Sequence, residues 1–215
     1  MSSAFPRAGG VLLPLTSLPA RHGLGDLGAS AHDFVDWCAA AGLTWWQMLP
    51  VGPLGPGDSP YSSTSAFAGE PLYLSLDLLA QEGLLADADL EAPAALGSGR
   101  IDYRRAAAFK RARLGRAFEA WRARRAARDR QFERFCADAS GWLDPWAERA
   151  SDPLEARFLQ HRFQVPQRTM DPTTCTCSWP SLALGPVAIP LPFARLTSVC
   201  LRRSLSVIPP WEVFA

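Results

Sequence analysis

The sequence predicts an α/β fold that opens with a parallel βαβ unit and continues into a helical segment. Two short apolar runs, at 10–15 and 44–51, flank an amphipathic helix. A segment dense in hydroxyls and aromatic rings follows the second run at once, and an arginine-rich stretch of helical character begins near residue 103. Strand, helix and strand within about 45 residues form a βαβ unit, which implies a parallel sheet joined by a right-handed crossover.

Gly10-Val11-Leu12-Leu13-Pro14-Leu15 reads as a short buried strand, and residues 16–28 are rich in turn formers. In the helix that follows, Ser30 with Asp33 three residues on resembles a capping box. Ala31, Phe34, Val35, Cys38 and Ala39 recur at helical spacing, and Gly42 is placed to stop it. Residues 44–51 read as the second strand, with Trp45 and Trp46 as packing residues. Just past its carboxyl end comes Gly57-Asp58-Ser59-Pro60-Tyr61-Ser62-Ser63-Thr64-Ser65-Ala66-Phe67-Ala68-Gly69-Glu70-Pro71. Burying a core does not call for that mixture of turn formers, rings and hydroxyls, so it reads as a loop shaped for a polyhydroxylated ligand such as a sugar. Its position agrees, because parallel α/β folds bind ligands at the carboxyl ends of their strands. Asp58 reads as a cap of the turn.

Residues 72–85 read as an extended piece and then a short helix from about 75 or 77 to 81, with a turn at 97–99. From residue 103 to about 139 the chain reads as helical throughout. Leu114, Phe118 and Trp121 lie on one face, and Phe132, Phe135 and Cys136 on another. Trp142, Leu143, Trp146 and Phe158 supply a further packing surface.

Bulk properties exclude several classes. Twelve basic residues lie between Arg104 and Arg134, but they occur all round the helix among Ala, Glu119, Asp129 and Glu133, and the whole chain carries a formal charge of only +1. That is a solvated helix rather than a nucleic-acid surface. No run approaches the roughly 18 apolar residues of a membrane span. Pro6, Arg7, Gly9, Gly10 and Pro14 break up the amino terminus, so no secretory signal is read and the expected setting is the cytoplasm. Five cysteines make no disulfide framework. Cys175 and Cys177 form a CxC pair with no second half and only His161 nearby, so no metal site is expected. Beyond Gln164 the texture changes: the last 51 residues hold only Asp171 and Glu212 as acids, yet eight of the 19 prolines and three of the five cysteines.

Four ordered blocks carry a resemblance. They are Gly10-Val11-Leu12-Leu13-Pro14-Leu15-Thr16-Ser17-Leu18-Pro19, Gly23-Leu24-Gly25-Asp26-Leu27-Gly28, Trp46-Gln47-Met48-Leu49-Pro50-Val51-Gly52-Pro53, and Asp58-Ser59-Pro60-Tyr61 with Ser65-Ala66-Phe67-Ala68-Gly69-Glu70-Pro71. Together they resemble the amino-terminal part of the 4-α-glucanotransferases, the amylomaltases or disproportionating enzymes of glycoside hydrolase family 77. Weaker agreement continues through Ile101-Asp102-Tyr103, Lys110, Phe132-Glu133-Arg134-Phe135 and Trp142-Leu143. It covers the first 164 residues.

The resemblance implies a partial (β/α)8 barrel, represented by its first βαβ unit, with a helical insertion at about 95–160. It implies transfer of α-1,4-glucan segments between maltodextrins by a retaining mechanism, with no cofactor. Of the functional residues, Ser59 and Tyr61 match loop positions that face the bound glucan in the family. The nucleophile, the acid/base and the third carboxylate lie on later barrel strands and have no counterpart here, so the chain reads as a catalytically incomplete piece. Pro56 stands where some relatives carry a glucan-binding aromatic, and Pro145-Trp146 interrupts a helix that usually continues. A closed barrel needs about 250 residues, so bare strand edges and low solubility are expected. The alternative is a noncatalytic maltodextrin-binding module; RNA or DNA binding ranks below both.

Residues 165–215 read as a non-homologous, irregular tail, either out of its proper frame or a disordered extension. The frameshift reading is checked on the DNA: one of the two other frames downstream of codon 164 is expected to encode a helix, a strand and a Gly-Asp-type motif. Finding these in neither frame refutes it.

Overall fold

The computed structural model describes residues 9–96, 100–124, 129–164 and 187–190. Strand β1 (Gly10–Leu12) pairs in parallel with β2 (Trp45–Met48), matching Gly10 with Trp45, Val11 with Trp46 and Leu12 with Gln47. Helix α1 (Ala29–Ala40) connects them, which gives the expected βαβ unit. The register places Val11 and Trp46 on one face and Leu12 and Trp45 on the other, because side chains alternate along a strand. Trp46 is 1% exposed, stands edge-on to Phe34 of α1 at 4.9 Å between centroids, and donates its indole N–H to the Leu13 carbonyl at 2.8 Å. Trp45, expected as a packing residue, is instead 38% exposed, and Leu12 is 57% exposed. An apolar run alone cannot distinguish a strand covered on both faces from one covered on a single face; here α1 packs against only one.

A third strand, β3 (Val187–Pro190), pairs antiparallel with the other edge of β2, Trp45 opposite Pro190 and Met48 opposite Val187. The expectation of an irregular tail is therefore amended at these four residues. Cys175 and Cys177 lie outside the described residues, as does the turn expected at 97–99.

Helix α1 ends as expected. Gly42 takes φ +71°, its N–H reaches the Ala39 carbonyl at 3.1 Å, and that of Leu43 reaches Cys38 at 2.9 Å, the paired bonds of a glycine-terminated helix. Its start differs from expectation: Gly28 is the cap, with no side-chain cap bond from Ser30 or Asp33. Asp26 stands in, accepting the Gly28 N–H at 3.0 Å. Helix α2 (Leu76–Gln81) begins at the Ser75 hydroxyl, which accepts the Leu78 N–H.

The single helix expected from residue 103 to about 139 is two, α3 (Tyr103–Arg124) and α4 (Arg130–Ala147). Asp129 makes the break, since its carboxylate caps α4 through the Phe132 N–H at 3.0 Å and also accepts the Trp121 indole N–H at 3.2 Å. Pro145 does not end α4, which runs on to Ala147; the ring sits on an exposed flank in the last turn. Helix α5 (Pro153–Gln164) completes the helical part. Phe118, Trp121, Phe132 and Phe158 interlock at its centre, with Trp121 at 4.8 Å from Phe132 and 4.9 Å from Phe158.

Two buried ionisable groups constrain this assembly. The chain's one lysine, Lys110 on α3, is fully buried, and its ammonium lies 2.7 Å from Asp26. His161 on α5 is buried between Phe132 and Phe135, and among the described residues neither ring nitrogen has a hydrogen-bond partner. Burial, reinforced by the Arg162 charge and opposed by Asp129, pushes its pKa down to about 4.

Removing one partner of a buried ion pair strands the other charge. Lys110→Met is therefore expected to lower the free energy of urea unfolding by about 3 kcal/mol, with Asp26→Asn in the same chain recovering part of it. His161 gives a separate, pH-dependent outcome. Between pH 6.5 and about 4 the unfolded chain holds a proton on this ring that the folded chain does not, so stability falls as pH drops through that window and levels off below it. Unfolding free energies compared at about pH 7 and about pH 4.5 are expected to differ on the order of 2–3 kcal/mol from this group, and His161→Phe to remove that share.

Candidate functional site

The hydroxyl-rich segment leaves β2 at Leu49 and Pro50 and returns at Pro71, so its two stems must be tied together for its tip to have a defined position. One carboxylate does most of this. Glu70 is 6% exposed; its Oε2 accepts the Leu54 N–H at 2.8 Å, its Oε1 accepts the Leu72 N–H at 3.1 Å, and its own N–H donates to the Val51 carbonyl at 2.9 Å. Both oxygens serve the backbone, which makes Glu70 a structural anion rather than a candidate nucleophile. On the outer side Gln160 of α5 holds Gly69, accepting its N–H at 2.8 Å and donating to its carbonyl at 2.9 Å.

Between the stems the tip folds on itself. Gly55 donates to the Ser59 carbonyl at 2.9 Å, and Ser62 to the same carbonyl at 3.3 Å, across the single-turn helices Pro56–Asp58 and Pro60–Ser62. A Cβ on Gly55 would lie 2.1 Å from the Ser62 carbonyl oxygen, so this close approach requires glycine. The Ser63 hydroxyl donates to the Ser65 carbonyl, and the Ser65 hydroxyl accepts the N–H groups of Phe67 and Ala68. These two hydroxyls are thus spent on shaping the loop.

Ser59 and Tyr61, the sequence candidates, stand two residues apart on this tip. Tyr61 is 69% exposed. Ser59 is half-buried, and its side chain makes no cap bond although it occupies the cap position of the second turn. Asp58, expected to cap, instead takes φ +56° and lies exposed. The cap position falls one residue later than the sequence suggested.

Beside the tip, beyond the carboxyl ends of β1 and β2, is a cleft of about 40 Å³ lined by Thr16, Leu54, Pro60, Tyr73 and Tyr103 among others. The Tyr103 hydroxyl donates to Thr16 Oγ1 at 3.2 Å, which ties α3 to the segment after β1. Burial, with the Glu70 and Tyr103 charges adding to it, pushes the Tyr73 phenol well above its ordinary value, so it stays a neutral donor. Sequence reading passed over Glu70, Gln160, Tyr73 and Tyr103 as functional supports. Glu70 sat inside a quoted motif and Tyr103 inside a weaker one, but Gln160 lies on an ordinary helix with no local signal. Among the described residues no cluster of three His, Cys, Asp or Glu side chains could hold a metal ion, and no helix is long and apolar enough to cross a membrane.

Comparison with known proteins adds three findings. A family profile described as 4-alpha-glucanotransferase matches residues 13–152. The chain is 43% identical over 142 residues to a 4-alpha-glucanotransferase of Synechocystis sp., and 41% identical over 144 residues to one of Thermus thermophilus. Each match covers 66% of this chain and 28% of the relative. A solved amylomaltase from Streptococcus agalactiae in complex with acarbose superposes with a TM-score of 0.65 at 25% identity, covering 74% of this chain and 39% of that one. The chain spans less than a third of the length of these curated relatives.

Proposed function

Since the chain belongs to the 4-α-glucanotransferase family, we propose that its role is to grip an α-1,4-glucan at the loop carrying Ser59 and Tyr61. The observation that carries this reading is the placement of that loop. It stands past the carboxyl ends of two parallel strands, is braced from below by a buried carboxylate, and presents an exposed tyrosine at its tip. In this reading the Tyr61 ring lies against the C–H face of a glucose unit or bonds it through the phenol, while the Ser59 hydroxyl donates to a sugar hydroxyl. The acarbose complex of the Streptococcus agalactiae amylomaltase fits a maltooligosaccharide as the ligand class.

Glucan transfer with retention needs two carboxyl groups about 5–5.5 Å apart, one attacking the anomeric carbon and one exchanging a proton with the bridging oxygen. Glu70 is fully engaged with the backbone, and the sequence offers no counterpart of the family's catalytic acids. The proposal is therefore binding without turnover for this polypeptide, with residues 1–164 as the first βαβ unit and helical insertion of a (β/α)8 barrel. Residues 165–215 are proposed as a tail foreign to that barrel.

The 215-residue chain is expected to bind maltoheptaose in titration calorimetry, and Tyr61→Ala to weaken that binding about tenfold. Glucose release from maltotriose is expected to stay at background. Absence of maltoheptaose binding overturns the sugar-gripping role, and turnover by the chain alone overturns its catalytic incompetence.

A further inference from the structure

We propose that Gln160 is a positioning residue for the sugar-contacting loop, so that helix α5 sets where Ser59 and Tyr61 stand. For its effect on glucan affinity this rests on the function proposed above; the effect on the loop stands independently.

The tip of the loop makes its hydrogen bonds to itself: Gly55 and Ser62 to Ser59, Ser63 to Ser65, and Ser65 to Phe67 and Ala68. Such a tip is internally ordered but not thereby oriented. Its orientation comes from the stems. The Glu70 carboxylate ties them to each other, and among the described residues the hydrogen bonds from α5 reach the loop only at Gly69. Gln160, 91 residues away, is 1% exposed, and both ends of its amide meet the backbone of that one residue.

The chemistry of this contact is specific. A neutral amide supplies one acceptor and two donors in a plane, which is what a backbone N–H and C=O side by side require. A carboxylate supplies no donor, and an aliphatic side chain supplies neither. Without the amide, two buried backbone groups of Gly69 lose their partners, and the stem relieves that loss by moving toward water. Two further contacts act in the same sense. Phe163, one turn further along α5, fills the space that a side chain at position 69 would need: a Cβ there would lie 2.1 Å from the ring. Phe67 stacks on Trp142 of α4 with centroids 6.2 Å apart and planes 19° from parallel. The helices therefore grip the outer stem through three side chains, Gln160 and Phe163 at Gly69 and Trp142 at Phe67, with the amide as the polar member.

The test is amide hydrogen exchange of residues 52–68 in the full 215-residue chain, beside maltoheptaose titration. Gln160→Leu is expected to speed exchange in 52–68 about tenfold or more while leaving α1 and α3 unchanged, and to weaken maltoheptaose binding about tenfold. A merely structural glutamine would lower the melting temperature and speed exchange throughout the insertion without singling out the loop. Gly69→Ala, whose methyl meets the Phe163 ring, is expected to reproduce the local pattern, and it decides the matter if Gln160→Leu does not fold. Unchanged loop exchange in a folded variant overturns the positioning role. If the unaltered chain fails to bind maltoheptaose, the proposed function falls, while the exchange measurement still decides the role of Gln160.

Discussion

A single buried ion pair holds the two halves of this structure in register. Lys110 projects from α3, in the helical part of the chain, and meets Asp26 in the turn that launches α1. The other Asp26 oxygen accepts the Gly28 N–H, so the same carboxylate that neutralises the ammonium also stands in for the missing cap of α1. Burying both charges is costly unless the geometry satisfies them. The pair therefore contributes little to net stability compared with an apolar replacement, but it penalises any arrangement in which α3 slides along the βαβ unit. The position of α3 then fixes Tyr103 against Thr16, and through the aromatic cluster it fixes α5.

From that frame the loop inherits its geometry by a short chain of contacts. Glu70 closes the loop at its base, and Gln160 and Phe163 hold its outer stem. The hydroxyl-rich composition that first marked the segment is divided between two tasks. Ser63 and Ser65 satisfy the backbone of a tight tip, whereas Tyr61 is exposed and Ser59 lies half-buried beside it. A loop of this kind is built from main-chain shape first, with side chains added at the rim.

Much of this was legible in the sequence, and the gaps have physical causes. The βαβ unit was readable because α1 has one apolar stripe and Gly42 takes a positive φ at its end. The start of α2 was readable to within two residues, at 75 or 77, because capping is local, and the structure places the cap at Ser75. Asp129 was not readable as a helix break: within an arginine-rich run it looks like any surface charge, and its second partner, the Trp121 indole, belongs to tertiary packing. Trp45 was misread because adjacent tryptophans give no sign of which sheet face is covered. Lys110 is the one lysine in the sequence, but its burial depends on Asp26, 84 residues away. Gln160 left no trace in the sequence, since nothing local to α5 requires an amide there.

Strand β3 has one more consequence. Lying antiparallel along β2, it occupies the main-chain groups on that strand's second side, so the edges of the described sheet are β1, three residues long, and β3 itself, four residues long. Edges of three and four residues are shorter than the segments that template the repetitive stacking of a fibril, whereas the exposed Leu12 and Trp45 side chains attract other apolar surfaces without regard to direction. Contact between copies through this face would therefore be side chain against side chain, with no strand direction to propagate it.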